Sequence, residues 1–75
     1  MPRPPAVKVT QTLHHLELLL QQQLRSYVRD LRLLPVSEGL VLRGQSRNFF
    51  AKQVAQEAVM EATPVPLVAN EIEVG

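Results

Sequence analysis

The sequence predicts an α+β fold, a two-layer α/β sandwich in which two helices cover one face of a three-stranded mixed sheet. Apolar residues recur at helical spacing in two segments and alternate with polar residues in three others. The order of these segments is α-β-β-α-β. The two consecutive strands favour an antiparallel hairpin, and the β-α-β unit after them favours a parallel third strand.

The first helix is predicted over residues 11–26, with Thr10 or Thr12 as its N-cap. Leu18 lies among the polar residues of this helix, so we expect it to be exposed or to contact something outside the domain. The apolar stripe that should face the core consists of Leu13, Leu16, Leu20, Leu24 and Tyr27.

Two strands are predicted next, over residues 28–34 and 40–44, because both segments alternate with period two. Pro35 and the run Ser37-Glu38-Gly39 between them are typical of a hairpin connection.

The second helix is predicted over residues 47–62, with Ser46 as N-cap and Thr63-Pro64-Val65-Pro66 as its stop. Phe49 and Met60 fall on a stripe that should face water. The inner face is expected to consist of Phe50, Ala51, Val54, Ala55, Ala58 and Ala62.

The last strand is predicted over residues 67–74, with Val68, Asn70, Ile72 and Val74 on the core side. We expect the Asn70 amide to bond to nearby backbone, since a buried unpaired amide would cost about 1–3 kcal/mol. Opposite charges predict a cross-strand ladder on the outer face, which would carry Asp30, Arg32, Val41, Arg43, Glu71 and Glu73.

Two segments carry a family resemblance. Leu40-x-Leu42-x-Gly44, followed by an alanine-rich helix, resembles the V-x-L-x-G signature of BON domains, and Gly39 at the hairpin also fits. Val65-x-x-Val68-x-Asn70-x-Ile72-x-Val74 is similar to their closing strand. The likeness spans residues 13–74. The sequence departs from this pattern at Pro64, Pro35 and Ser46, and these departures affect loop geometry rather than the fold.

The resemblance implies a bacterial, non-catalytic module that binds phospholipid membranes or partner proteins, with no cofactor. It also implies the cell envelope or periplasm as the compartment, although the chain as given shows no signal peptide or transmembrane segment and by itself indicates the cytoplasm. Three prolines in the first five residues predict a flexible tail over residues 1–10, before a single domain over 11–75.

Charge is distributed unevenly. Residues 1–52 hold eight basic and three acidic residues, giving +5, and residues 53–75 hold four acidic and no basic ones, giving −4, for a total of +1. This asymmetry fits an internal pairing of two surfaces better than an anionic partner. Without cysteines, disulfides, thiol nucleophiles and thiolate metal sites are excluded.

No residue pattern predicts catalysis, a metal site or a small-molecule substrate. His14 and His15 are adjacent, so on a helix they point about 100° apart and cannot share one ion well. The three glycines form no phosphate-binding loop. Nucleic acid is not expected as a partner, because the predicted sheet face has no aromatic residue.

Two functions remain open. The first is association with an anionic phospholipid surface through Phe49 and Met60, rimmed by Arg43, Arg47 and Lys52. The alternative is protein interaction, either with an envelope protein or as a weak homo-oligomer, through Leu18 and an open sheet edge. Phe49 and Met60 could equally fold back over the domain.

Overall fold

A computed structural model describes the backbone of residues 5–75 and the side chains of residues 12–75. Its elements, in chain order, are α1 (Pro5–Gln23), β1 (Val28–Val36), β2 (Gly39–Ser46), α2 (Phe49–Ala62), β3 (Leu67–Asn70) and β4 (Glu73–Val74). Strand β2 is central, pairing antiparallel with β1 and parallel with both β3 and β4. The predicted α+β fold is confirmed, and the predicted third strand is divided into two short segments.

Helix α1 begins at Pro5, six residues before the expected start, so residues 5–10 are helical rather than an extended tail. Proline is well suited to the first helical position, where its missing N–H needs no intrahelical partner. Residues 1–4 of the predicted tail lie outside the described residues. The helix ends at Gln23, so Tyr27 stands in the following turn and is exposed instead of joining the predicted inner stripe.

The core lies between the sheet and both helices, which therefore cover the same sheet face. Leu13 and Leu16 of α1 pack partly buried against this core. Its buried members come from every layer: Leu20, Leu24, Val28, Leu31, Leu33, Leu42, Ala55, Val59 and Ile72. The described side chains thus bury a small aliphatic core, as expected for a chain with only three aromatic residues.

Strand β1 carries an extra residue opposite β2. The pairing steps from Arg29 with Gln45 to Arg32 with Arg43, so Asp30 and Leu31 together oppose Gly44. Asp30 adopts a positive φ of 55°, an uncommon conformation that aspartate tolerates better than most residues. Because of this bulge, Val28 and Leu31 both face the core although they are three residues apart.

Gly44 makes the bulge feasible. Its φ is 156°, a conformation that side-chain-bearing residues rarely adopt. A Cβ atom there would lie 2.6 Å from Cγ1 of Val28 and 3.1 Å from the carbonyl oxygen of Arg29. The missing side chain therefore lets β1 and β2 approach each other closely.

A second irregularity sets the facing of β3. Leu40 pairs with Leu67, but Val41 pairs with Ala69, so Val68 is the extra residue and its side chain is exposed. The expectation that Val68 faces the core was wrong. It assumed that side chains alternate strictly between the two faces of the strand, and an inserted residue breaks that alternation. Leu67 packs against the core in its place.

The Asn70 amide joins α2 to the sheet, which confirms its predicted structural role. Its Nδ2 donates to the carbonyl oxygen of Lys52 at 3.1 Å and to Oε1 of Gln56 at 3.2 Å. Its Oδ1 accepts the backbone N–H of Ile72 at 3.1 Å. This local bond occurs where the strand is interrupted between β3 and β4.

Helix α2 is capped by Asn48, whose side chain accepts the N–H of Ala51 at 2.8 Å. The expected cap, Ser46, belongs to β2, where it is buried and donates to the carbonyl oxygen of Asn48. Phe50 and Ala62, expected on the inner face, are exposed because they lie at the two ends of the helix, beyond the core. The buried residues are Ala51, Ala55 and Val59.

The outer edge of β1 is partly blocked, contrary to the expected open edge. The backbone N–H of Leu33 donates to Oε2 of Glu17 at 2.9 Å, and Nε2 of Gln21 donates to the carbonyl oxygen of Leu31 at 2.8 Å. Pro35, in the same strand, has no N–H to offer. Side chains of α1 therefore occupy groups that a further strand would need.

Replacing Gly44 with alanine should lower the free energy of unfolding by about 2 kcal/mol or more, because the positive φ is strained and the new Cβ overlaps Val28. Urea denaturation would measure the change. Gly75→Ala is the matched control, since a Cβ there meets nothing within 4 Å. Equal denaturation midpoints for the two variants would contradict the role given to Gly44.

Candidate functional site

A broad groove of about 860 Å³ lies at one end of the molecule, where the turn after α1, the end of β2 and the start of α2 meet. Its lining is mostly polar and largely exposed. The residues are Arg25, Ser26, Tyr27, Arg29, Gln45, Ser46, Arg47, Asn48, Phe50, Ala51, Glu73, Val74 and Gly75.

Three arginines line this groove: Arg25, Arg29 and Arg47. None of them forms a salt bridge with a side chain of residues 12–75, and Glu73 is the single acidic residue of the lining. The charge asymmetry of the sequence is therefore not neutralised internally at this end. Unpaired guanidinium groups are suited to binding carboxylates or phosphates.

All three aromatic residues of the chain lie at the same end. Phe49, Phe50 and Tyr27 are 73%, 69% and 40% exposed, and the rings of Tyr27 and Phe50 meet edge to face with centroids 6.4 Å apart. Nζ of Lys52 lies 5.9 Å from the centroid of the Phe49 ring, within range of a cation–π interaction. Large apolar groups and cations thus share one surface.

We call this surface the basic aromatic end and define it as Arg25, Tyr27, Arg29, Arg47, Phe49, Phe50 and Lys52. Two local features assemble it. Strand β1 starts with Val28 in the core and Arg29 outside, and the bulge at Asp30 directly after them returns Leu31 to the core. Asn48 caps α2, so the helix begins with the two phenylalanines. Phe49 and Phe50 therefore lie on its first turn, where their side chains are exposed.

The structure brings together three of the six residues predicted for a binding surface: Arg47, Phe49 and Lys52. Met60 is exposed but stands eleven residues after Phe49 on α2, about 16 Å along the helix axis. Neither it nor Phe49 folds back over the domain. Leu18 is exposed on α1, beside the exposed Leu19.

Arg43, the remaining predicted residue, belongs to a different surface. It lies on the sheet face opposite the helices, and its Nε contacts Oε1 of Glu71 at 2.9 Å. This pair confirms one rung of the expected cross-strand ladder. Arg43 therefore does not contribute to the basic aromatic end.

Sequence reasoning missed Arg25, Tyr27, Arg29 and Phe50 as site residues. Tyr27 and Phe50 were assigned to inner faces because helical periodicity gives the direction of a side chain and not how far the core extends. The spacing Arg25-x-Tyr27-x-Arg29 places both cations two residues from the tyrosine. That alternation was the available signal for a basic aromatic segment.

No cluster of side chains typical of a metal site occurs within the described residues. No group of three or more His, Asp or Glu side chains there could hold a metal ion. Nδ1 of His14 lies 4.0 Å from Oε1 of Glu17, a distance too long for a strong hydrogen bond. A second, shallow depression of about 450 Å³ surrounds Gly44 on the open sheet face.

Within residues 5–75, no helix is both long enough and apolar enough to cross a bilayer. Comparison with protein-family models, with curated proteins and with solved structures gives no match for this chain. The BON resemblance therefore remains a prediction. The function has to be argued from the geometry of the site.

Replacing Phe50 with alanine should change the Tyr27 ring proton chemical shifts, because the edge-to-face neighbour is lost. Stability should change by no more than about 1.5 kcal/mol, since the Phe50 side chain that is removed is 69% exposed. Proton NMR and thermal denaturation would measure the two effects. Phe49→Ala is the control, as no contact joins Phe49 and Tyr27; unchanged Tyr27 shifts in the Phe50 variant would show that the rings do not meet.

Proposed function

We propose that this chain is a non-catalytic, BON-like module that associates with anionic phospholipid surfaces through the basic aromatic end. The observation that carries the proposal is the exposure of Phe49 and Phe50, side by side, among cations without acidic partners in the described residues. Lone exposed apolar residues are ordinary, but two adjacent and largely exposed phenylalanines at one tip of a small domain are not.

Both kinds of residue favour a membrane interface. Transfer of one phenylalanine side chain out of water contributes about 1.5–3 kcal/mol when burial is complete. Each basic residue near an anionic leaflet contributes about 1 kcal/mol, and this contribution falls as salt screens the surface potential. Four cations and two phenylalanines therefore provide binding that is partly dependent on salt and partly independent of it.

The alternative arrangement, with Met60 and Arg43 in the same patch, is not supported by the geometry. Met60 stands about 16 Å along α2 from Phe49. Arg43 is paired with Glu71 and does not line the groove. A flat bilayer that receives the start of α2 would leave both of them outside the contact.

Phe49→Ser should abolish most binding to vesicles containing phosphatidylglycerol while leaving the fold intact, because the side chain is exposed and contributes no core contact. An amide chemical-shift titration of labelled protein, at low and at physiological salt, would measure lipid binding and show whether the fold is retained. Met60→Ser is the control, an exposed apolar residue on the same helix. The proposal predicts shifts at residues 25–29 and 47–52; equal binding by the two variants would remove this end from consideration.

A second candidate function, protein interaction, is favoured by one observation. Leu18 and Leu19 are adjacent and both are about half exposed on α1, away from the basic aromatic end. Two neighbouring leucines on a helix surface can anchor a partner helix or a second copy of the chain. Pairing through the outer edge of β1 is less favoured, since Glu17 and Gln21 occupy its free groups.

If the leucines mediate self-association, the sedimentation coefficient of the protein should rise with concentration. Substituting Leu18 and Leu19 with glutamine should suppress that rise, because the apolar contact area is lost. Analytical ultracentrifugation of both proteins would measure it, with Met60→Gln as a control of matched chemistry. A strict monomer at every concentration would count against the homotypic form.

A further inference from the structure

We propose that the groove between Arg25, Arg29 and Arg47 binds a phosphate monoester headgroup, so that phosphatidic acid is preferred to lipids whose phosphate is a diester. This inference rests on the proposed membrane function and adds to it a chemical class of ligand. Three features of the groove support it: its formal charge, the hydrogen-bonding capacity of its side chains and the aromatic rings that line it.

The formal charge of the side chains that line the groove matches a doubly charged anion. The charged side chains are those of three arginines and Glu73, and their formal charges sum to +2. A phosphate monoester carries about −1.5 to −2 at pH 7, whereas a phosphodiester carries a single negative charge. The monoester therefore neutralises the groove, and a diester leaves part of its charge uncompensated.

Hydrogen-bonding capacity points the same way. A guanidinium group presents paired N–H donors that engage phosphate oxygens two at a time. A monoester exposes three terminal oxygens, enough to engage several guanidinium groups at once, and a diester exposes two. The groove also carries neutral polar side chains on Ser26 and Gln45, which are suited to the remaining lone pairs.

The aromatic rings indicate that the phosphate belongs to a lipid. Tyr27 and Phe50 line the same groove as the arginines, and Phe49 is adjacent to Phe50. A headgroup in the groove would therefore have apolar rings next to it that can contact the acyl chains of the same lipid. A soluble phosphate monoester would leave these rings in water and gain nothing from them.

The first experiment compares vesicles of phosphatidylcholine that contain either phosphatidic acid or phosphatidylglycerol, adjusted to the same zeta potential. We expect about tenfold tighter binding to phosphatidic acid, the factor that corresponds to one additional charge-assisted hydrogen bond. Flotation or isothermal titration would measure both affinities. Matching the zeta potential makes the non-specific electrostatic attraction between protein and vesicle equal for the two lipids, so it does not contribute to the difference in affinity.

The second experiment compares Arg47→Gln with Arg43→Gln, which remove the same charge from two exposed positions, one in the groove and one outside it. Arg47→Gln should reduce the phosphatidic acid preference from about tenfold to about twofold or less. Arg43→Gln should retain it, because Arg43 does not line the groove and its guanidinium is paired with Glu71. Circular dichroism of both variants checks that each is folded.

The outcomes separate the two proposals. Equal binding to the two vesicles at matched potential would overturn the monoester preference and leave membrane association standing. Binding to neither vesicle would overturn the proposed function, and with it this inference. Glycerol 3-phosphate should shift amide signals of residues 25–29 and 45–48 weakly; if it binds as tightly as the vesicles, the lipid source is wrong.

Discussion

Because Gly44 has no side chain, β1 can hold an extra residue opposite β2. The outward position of Arg29 in the basic aromatic end depends on that close approach of the two strands. A Cβ atom at this position would overlap Val28 and crowd the backbone of Arg29. With no side chain there, Val28 and Leu31 both enter the core, and Arg29 turns outward into the groove.

A second constraint is a set of hydrogen bonds between α2 and the end of the sheet. The Asn70 amide links the backbone of α2 at Lys52 to the interrupted strand at Ile72, so one side chain sets the distance between helix and sheet. A small domain with an aliphatic core has little stability in reserve. Directional bonds of this kind fix the position of α2, and therefore of the phenylalanines at its start.

The surface shows a division of charge that bears on function. On the open sheet face, Arg43 is paired with Glu71, and the β1 edge is partly covered by side chains of α1. At the basic aromatic end, cations and aromatic rings lie together without salt bridges to the described side chains, and Glu73 is the single acidic residue of the groove wall. Charges that are paired within the protein are less available to bind a ligand. The basic aromatic end keeps both unpaired positive charge and exposed apolar area, which a ligand can contact.

The sequence alone determined the order of the elements, the inward leucines of α1, the Arg43–Glu71 rung and the structural role of Asn70, because each depends on local periodicity or on the cost of burying an amide. It could not determine the bulges at Asp30 and Val68, since alternation assumes one residue for each partner. Nor could it place Phe50 outside the core, because periodicity fixes the angle of a side chain around the helix and not where the sheet beneath it ends. The basic aromatic end joins residues 25–29 to residues 47–52, and only the tertiary structure brings those segments together.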